Sequence, residues 1–167
     1  MNDTYVEYLL KEYKNKGAII DTPLLLLYFI GKYDINRIKT FKRTEIYSEE
    51  EFYIIGNLIL GHFSKILTTP NILTEISNLS GQLPEKLKFY EKLKTEINIL
   101  DEKYFPSKTL CENEKFSEFG LTDISIKFLA NKEYLIITDD LPFVNFLENK
   151  KIPVINWNHI KTMTFTR

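Results

Sequence analysis

At 167 residues, with 44% hydrophobic and 27% charged residues, the chain has the composition of a globular domain and not of a disordered one. A formal net charge of -1 excludes a global basic field, so nucleic-acid binding would need a local patch. One cysteine, Cys111, excludes an intrachain disulfide and a cysteine-rich zinc site, which suits a reducing cytoplasm. The greasiest run, "TPLLLLYFIG", is too short to span a bilayer and follows no basic leader, so neither a membrane segment nor a signal peptide is expected.

In "DTYVEYLLKEYKNKG", Val6, Leu9, Leu10 and Tyr13 recur at helical spacing, and Gly17 stands where a left-handed cap belongs; a helix over about 3–16 is expected. "AIID" (18–21) reads as a short buried strand. "TPLLLLYFIG" reads as a helix with Pro23 in its first turn and Gly31 past its end. "KYDINRIKTFKRTEIY" reads as a loop. "SEEEFYIIGNLILGHF" opens on Ser48 and Glu51 at capping-box spacing and sets Phe52, Ile55, Ile59 and Phe63 on one face. "KILTT" (65–69) is a second strand, and "PNILTEISNLSG" is a helix starting at Pro70. "PEKLKFYEKLKTE" is a helix with a stripe through Leu87, Tyr90 and Leu93. "INIL" (97–100) is a third strand, "TDISIKFLA" a helix, "EYLIIT" a fourth strand, "LPFVNFLE" a short helix and "IPVIN" (152–156) a fifth strand. Short apolar strands alternating with helices give an α/β chain, with a central parallel sheet of four to five strands between two helical layers. No repeat, linker or low-complexity tract divides it, so one domain over 1–167 is expected.

The fourth strand runs into "TDD". Two carboxylates about 4 Å apart repel by about 4 kcal/mol at an effective dielectric of about 20. Solvent, a helix N-terminus or a bound cation would have to offset this. Taken singly, every acid has a structural role open to it. Asp21 or Thr22 caps the helix that follows, Glu75 is a solvated helix residue, Asp123 suits a helix start, and Asp140 caps "LPFVNFL" beside an exposed Asp139. Taken together, Asp21 and Asp139/Asp140 end parallel strands at the edge where open α/β sheets place their sites. Glu75 and Asp123 sit on helices able to face that edge. Oxygen-only ligands of this kind suit Mg²⁺ or Mn²⁺.

In order, "AIIDTPLLL", "LTTPNILTEISNL", "GLTDISIKFLA" and "LIITDDLPF" resemble the PIN-domain ribonucleases, including the VapC-type toxins, over about residues 18–156. The resemblance implies a three-layer α/β/α PIN-like fold and a metal-dependent endoribonuclease. It assigns catalysis to Asp21, Glu75, Asp123 and Asp140, which would hold Mg²⁺ or Mn²⁺ with Asp139 as a helper and Thr138 in support. It further implies single-stranded or loop RNA as substrate, a homodimer, and for toxin-like members a small antitoxin partner. The chain departs from the family in carrying Pro23 where Asn or Ser is usual, an extra N-terminal helix, and a long stretch between the first two strands.

The run "RIKTFKR" carries Arg37, Lys39, Lys42 and Arg43. It is either a solvated loop or a cationic patch for RNA phosphates, with Phe41 placed to stack on a base. His62 and His159 read as structural. The rival to the nuclease is a PIN-like module that binds RNA or protein without cutting. A receiver domain carries its paired aspartates on the first strand and not a late one. A haloacid-dehalogenase phosphatase needs a second aspartate where Pro23 stands.

Overall fold

The structure is a computed structural model that describes residues 3–165; the expected domain, 1–167, extends two residues beyond these at each end. In chain order the first half is α1 (Asp3–Tyr13), β1 (Ala18–Ile20), α2 (Thr22–Tyr33), α3 (Arg37–Thr40), α4 (Glu49–Asn57), β2 (Ile66–Thr68) and α5 (Pro70–Ser80). The second half is α6 (Lys86–Glu96), β3 (Leu100–Glu102), α7 (Ser107–Cys111), α8 (Phe116–Ala130), β4 (Leu135–Thr138), α9 (Leu141–Asn149), β5 (Val154–Asn156) and α10 (Trp157–Phe165).

Three strands end with one local device. Asp21 after β1, Thr69 after β2 and Asp140 after β4 each accept a backbone N–H of the next helix, and each of those helices has proline in its first turn. The cap satisfies an orphan donor, and proline lacks the N–H that would otherwise go unpaired. The chain therefore turns abruptly at each strand end, and the N-termini of α2, α5 and α9 all lie at the carboxyl edge of the sheet.

The five strands form one parallel sheet in the order β3-β2-β1-β4-β5. Ile19 pairs with Leu67 on one side and Ile136 on the other, so β1 is central and buried on both faces. That is why β1 and β4 read as unbroken apolar runs and not as alternating ones. Helices α3 to α6 gather round α2, and α7 and α9 pack with α8, giving the expected three α/β/α layers. The chain moves outward from β1 to β3 and then returns to β4. The reversal of direction falls between β1 and β4, where open sheets of this kind form their crevice.

Several local expectations are corrected. Gly31 does not end α2, which runs on to Tyr33. A Cβ at Gly31 would lie 2.3 Å from the Phe52 ring, so glycine here admits the close approach of α4. The loop expected over 32–47 contains α3, anchored by fully buried Ile38. The third strand forms at Leu100–Glu102, while Ile97–Ile99 are a single tight helical turn. As an edge strand β3 tolerates Asp101 and Glu102, which disguised it. On α6 the buried stripe is Phe89 and Leu93, and Leu87 is exposed. Helix α10 was not expected. It is secured by buried Trp157, whose indole N–H donates to Glu51 Oε1 at 2.9 Å, while Glu51 completes the expected capping box with Ser48. Gly17 has the positive φ, +110°, that its capping position requires. No helix among the described residues is long and apolar enough to cross a membrane.

The two helical glycines Gly31 and Gly56 should respond to alanine with opposite sign. Gly56→Ala meets no atom nearer than 3.9 Å and should stabilise by about 0.5–1 kcal/mol through helix propensity. Gly31→Ala gains the same propensity but must displace the Phe52 ring, and should be net destabilising by about 1–2 kcal/mol. Urea midpoints at constant m check both, and a stabilising Gly31→Ala would refute the close α2–α4 contact.

Candidate functional site

Asp21 is only 4% exposed, at the end of the central strand. Its Oδ1 accepts the Thr22 backbone N–H at 2.7 Å, and its Oδ2 accepts the Thr138 hydroxyl at 2.6 Å. The Thr138 oxygen in turn accepts the Asp140 backbone N–H at 3.1 Å. One hydroxyl thus ties the ends of β1 and β4 together across the switch point. Burial pushes the Asp21 carboxyl up to about 6; the two hydrogen bonds oppose the rise, and the charges of Asp139 and Glu75 add to it.

Glu75 lies one and a half turns into α5, partly buried, and its Oε2 accepts the Thr22 hydroxyl at 3.2 Å. Thr22 therefore contacts both Asp21 and Glu75. Asp123 comes from α8, which is broken at Gly120, where φ is +73°. The break places Asp123 in the first turn of the segment 121–130, as the sequence suggested. Burial first, then the charges of Asp21, Asp140 and Glu75, pushes its carboxyl up to about 8.

A buried relay joins the turns that carry Asp123 and Glu75. Ser125 Oγ donates to the Thr122 carbonyl at 2.7 Å, which leaves its lone pairs for the Thr69 hydroxyl at 2.8 Å. Thr69 accepts the Ile72 N–H at the start of α5. The N-terminal turns of α5 and of the broken α8 are thereby bonded to each other, past the edge of the sheet.

The two late aspartates point apart. Asp140 Oδ1 accepts the Phe143 N–H at 2.8 Å and caps α9. Asp139 Oδ2 accepts the hydroxyl of Tyr47, a buried residue just before α4; burial and the Asp139 charge push that phenol up from its ordinary value. Asp139 is felt at Asp21 and Asp140 at Asp123. None of the five carboxylates has a lysine or arginine partner among the described residues. As they stand, no three His, Cys, Asp or Glu side chains among those residues are grouped closely enough to hold one metal ion.

The basic run divides. Arg37 pairs with Glu85 and approaches Asp34 at 3.9 Å, and Lys39 donates to the Glu45 carbonyl at 3.3 Å. Lys42 and Arg43 are exposed and unpaired among the described residues. Phe41 is buried and belongs to the core, so it cannot stack on a base as placed. His62 has a structural contact, with its Nε2 3.0 Å from the Leu10 carbonyl oxygen.

Thr22, Tyr47, Thr69 and Ser125 were not foreseen. "DTP" could have flagged Thr22, since a hydroxyl beside a strand-end aspartate stays at that edge. Nothing local marks Tyr47 or Ser125, whose partners lie 92 and 56 residues away.

The raised carboxyls set the pH dependence of the metal-free protein. Below about pH 4 the Asp123 carboxyl is protonated in folded and unfolded chains alike. Above that the unfolded chain ionises while the folded one keeps its proton until about pH 8. Stability should therefore fall as pH rises from about 4 to 8, because the folded state binds more protons. Asp123→Asn in chelator should raise the melting temperature at pH 8, by about 2–4 °C per kcal/mol gained, and change it little at pH 4. An equal effect at both pH values would show that Asp123 carries no such strain.

No protein-family model matches the chain and no curated protein matches it, so the case for a function rests on this site.

Proposed function

We propose that the chain is a metal-dependent endoribonuclease of PIN-like fold, hydrolysing phosphodiester bonds in single-stranded or loop RNA. The observation that carries this reading is the set of carboxylates from β1, α5, α8 and the β4–α9 turn. They border one crevice at the carboxyl edge of the sheet, none is paired to a lysine or arginine among the described residues, and two of them are held above the ordinary range.

A hard divalent cation fits that donor set. Mg²⁺ takes one or two carboxylates and keeps several waters, so a cage of three protein ligands is not required. Asp21 and Asp123 are the first candidates to hold it, with Glu75, Asp139 and Asp140 close by through water. The ion would lower the pKa of a bound water and offset charge on the scissile phosphate. The chain's own groups do the positioning: Thr138 fixes the Asp21 carboxylate, Thr22 fixes Glu75, and the Thr69–Ser125 relay holds the turn that carries Asp123. Tyr47 links Asp139 to the segment bearing Lys42 and Arg43, which offers two free cations to substrate phosphates. The engagement of Asp139 by Tyr47 and of Asp140 by α9 favours the second reading, an RNA-binding module that does not cut.

Purified protein should cleave single-stranded RNA with Mn²⁺ or Mg²⁺, and excess chelator should abolish cleavage. Thr138→Val should weaken metal binding by about 10–100-fold, the usual loss when a supporting partner of a ligand is removed. Asp21→Asn and Asp123→Asn should lose more. Cleavage that survives chelation would refute the metal mechanism, and RNA binding without cleavage would establish the second reading.

The unequal pairing of the basic run gives a separate test. Removing Lys42 and Arg43 together should flatten the log–log salt dependence of single-stranded RNA binding by about 1.4, at about 0.7 per phosphate contact. Arg37→Ala should lower stability and leave the salt slope nearly unchanged. A slope indifferent to Lys42 and Arg43 would make the run a solvated surface.

A further inference from the structure

An open groove of about 380 Å³ adjoins the acidic crevice, between the start of α5, the segment after β3 and the start of the broken α8. Its volume falls within the range of small-ligand sites, about 300–1,000 Å³. Glu75 and Thr122 line it, and each belongs also to the crevice: Glu75 is bonded to Thr22, and Thr122 precedes Asp123. Whatever occupies the groove therefore lies one residue's reach from the carboxylates.

The lining is distinctive in charge and in shape. It contains no lysine or arginine, and its one ionisable acid, Glu75, repels phosphate. Its apolar surface includes Tyr104, 74% exposed, with Phe105 and Leu121 beside it. The backbone that carries Tyr104 is anchored to the sheet. The N–H of Lys103 donates to the Thr68 carbonyl at 2.9 Å, which seats the segment on β2 just before the ring. Asn71 and Asn78 also line the groove, and their side-chain amides make no hydrogen bond with any described residue. An exposed aromatic face, two free amides and an absence of cations suit a flat, uncharged ligand with donors and acceptors on its edge. Unpaired bases are held in this way, by stacking on aromatic side chains and hydrogen bonding along their edges.

We propose that this groove takes one unpaired nucleobase of the RNA, stacked on Tyr104 and read by Asn71 and Asn78, so that the adjoining phosphate falls over the carboxylates. The proposal rests on the RNA-directed reading above for its ligand, but makes its own demand. Affinity must depend on the base and not only on the phosphate chain.

The experiment measures fluorescence anisotropy of a labelled single-stranded RNA and of the same strand with abasic positions. Both are titrated with the full chain in excess chelator, so that nothing is cut. The wild type should prefer the base-bearing strand by about fivefold to a hundredfold, the range for loss of one stacked base. Tyr104→Ala should bring the two strands to equal affinity, and Tyr104→Phe should retain the preference. Asn71→Ala and Asn78→Ala should reduce discrimination among the four bases without affecting the abasic strand. Because Tyr104 and Asn78 are exposed and the Asn71 amide makes no hydrogen bond with a described residue, these variants should fold as the wild type does. Equal binding of both strands by the wild type, or a preference untouched by Tyr104→Ala, would overturn the proposal. Cleavage with Mn²⁺ is scored separately. A strand bound with base preference but never cut removes the nuclease and keeps the groove. A strand cut without base preference removes the groove and keeps the nuclease.

Discussion

A carboxylate that is almost fully buried must have its oxygens bonded, and Asp21 meets this demand with the Thr22 N–H and the Thr138 hydroxyl. The second bond spans 117 residues of sequence and joins the two central strands at the point where the sheet reverses direction. From it follows much of the site. Thr138 is held by the bond and so fixes the Asp140 N–H, Asp140 caps α9, and Asp139 is directed to Tyr47. On the other side, Thr22 is free to engage Glu75. Two hydrogen bonds nevertheless fail to return the Asp21 carboxyl to its ordinary range, because burial outweighs them.

The N-terminal turns of α2, α5, α9 and the 121–130 segment of α8 lie at the carboxyl edge, each with a partial positive charge. One helix end offsets about 0.3–1 kcal/mol of negative charge, and at Asp21 and Asp123 burial, with the neighbouring carboxylates adding to it, outweighs that help. Helix ends therefore leave the Asp21 and Asp123 carboxyls above their ordinary range. In the metal-free protein the difference is met by protons, on Asp123 above all. In the proposed working state it is met by a cation. The same arrangement explains why the crevice is a poor place for phosphate alone, and why an uncharged groove beside it matters.

The parts of this fold that were legible in the sequence are those governed by neighbouring residues. Asp21 and Asp140 beside prolines, and Pro70 itself, announce helix starts, Ser48 with Glu51 announces a capping box, and Gly17 announces a positive φ. Continuous apolar runs likewise disclosed β1 and β4, because a central parallel strand is covered on both faces. What stayed hidden depends on distant partners. Gly31 looked like a helix end until Phe52 was set against it, and Arg37 looked free until Glu85 met it. On α6, Leu87 and Phe89 are both apolar, and only the packing reveals that Phe89 is the buried one, its ring edge-on to Tyr33 with centroids 5.8 Å apart. At the site, the acids themselves could be listed in advance from their strand and helix contexts. Of their hydroxyl supports, "DTP" hinted at Thr22 alone; Tyr47, Thr69 and Ser125 could not be listed, since each acts through a contact made only in three dimensions.

The central claim is that the crevice holds protons in place of a divalent cation. Metal binding must then release them, since a ligand carboxyl has to deprotonate. Titration calorimetry of the wild type with Mn²⁺ in buffers of different ionisation enthalpy counts that release directly. At pH 7, where Asp123 is mostly protonated and Asp21 mostly ionised, the account expects about one proton released per ion bound. The number should fall toward zero above about pH 9, and Asp123→Asn should abolish it. Binding without proton release at pH 7, or no binding at all, would contradict the account.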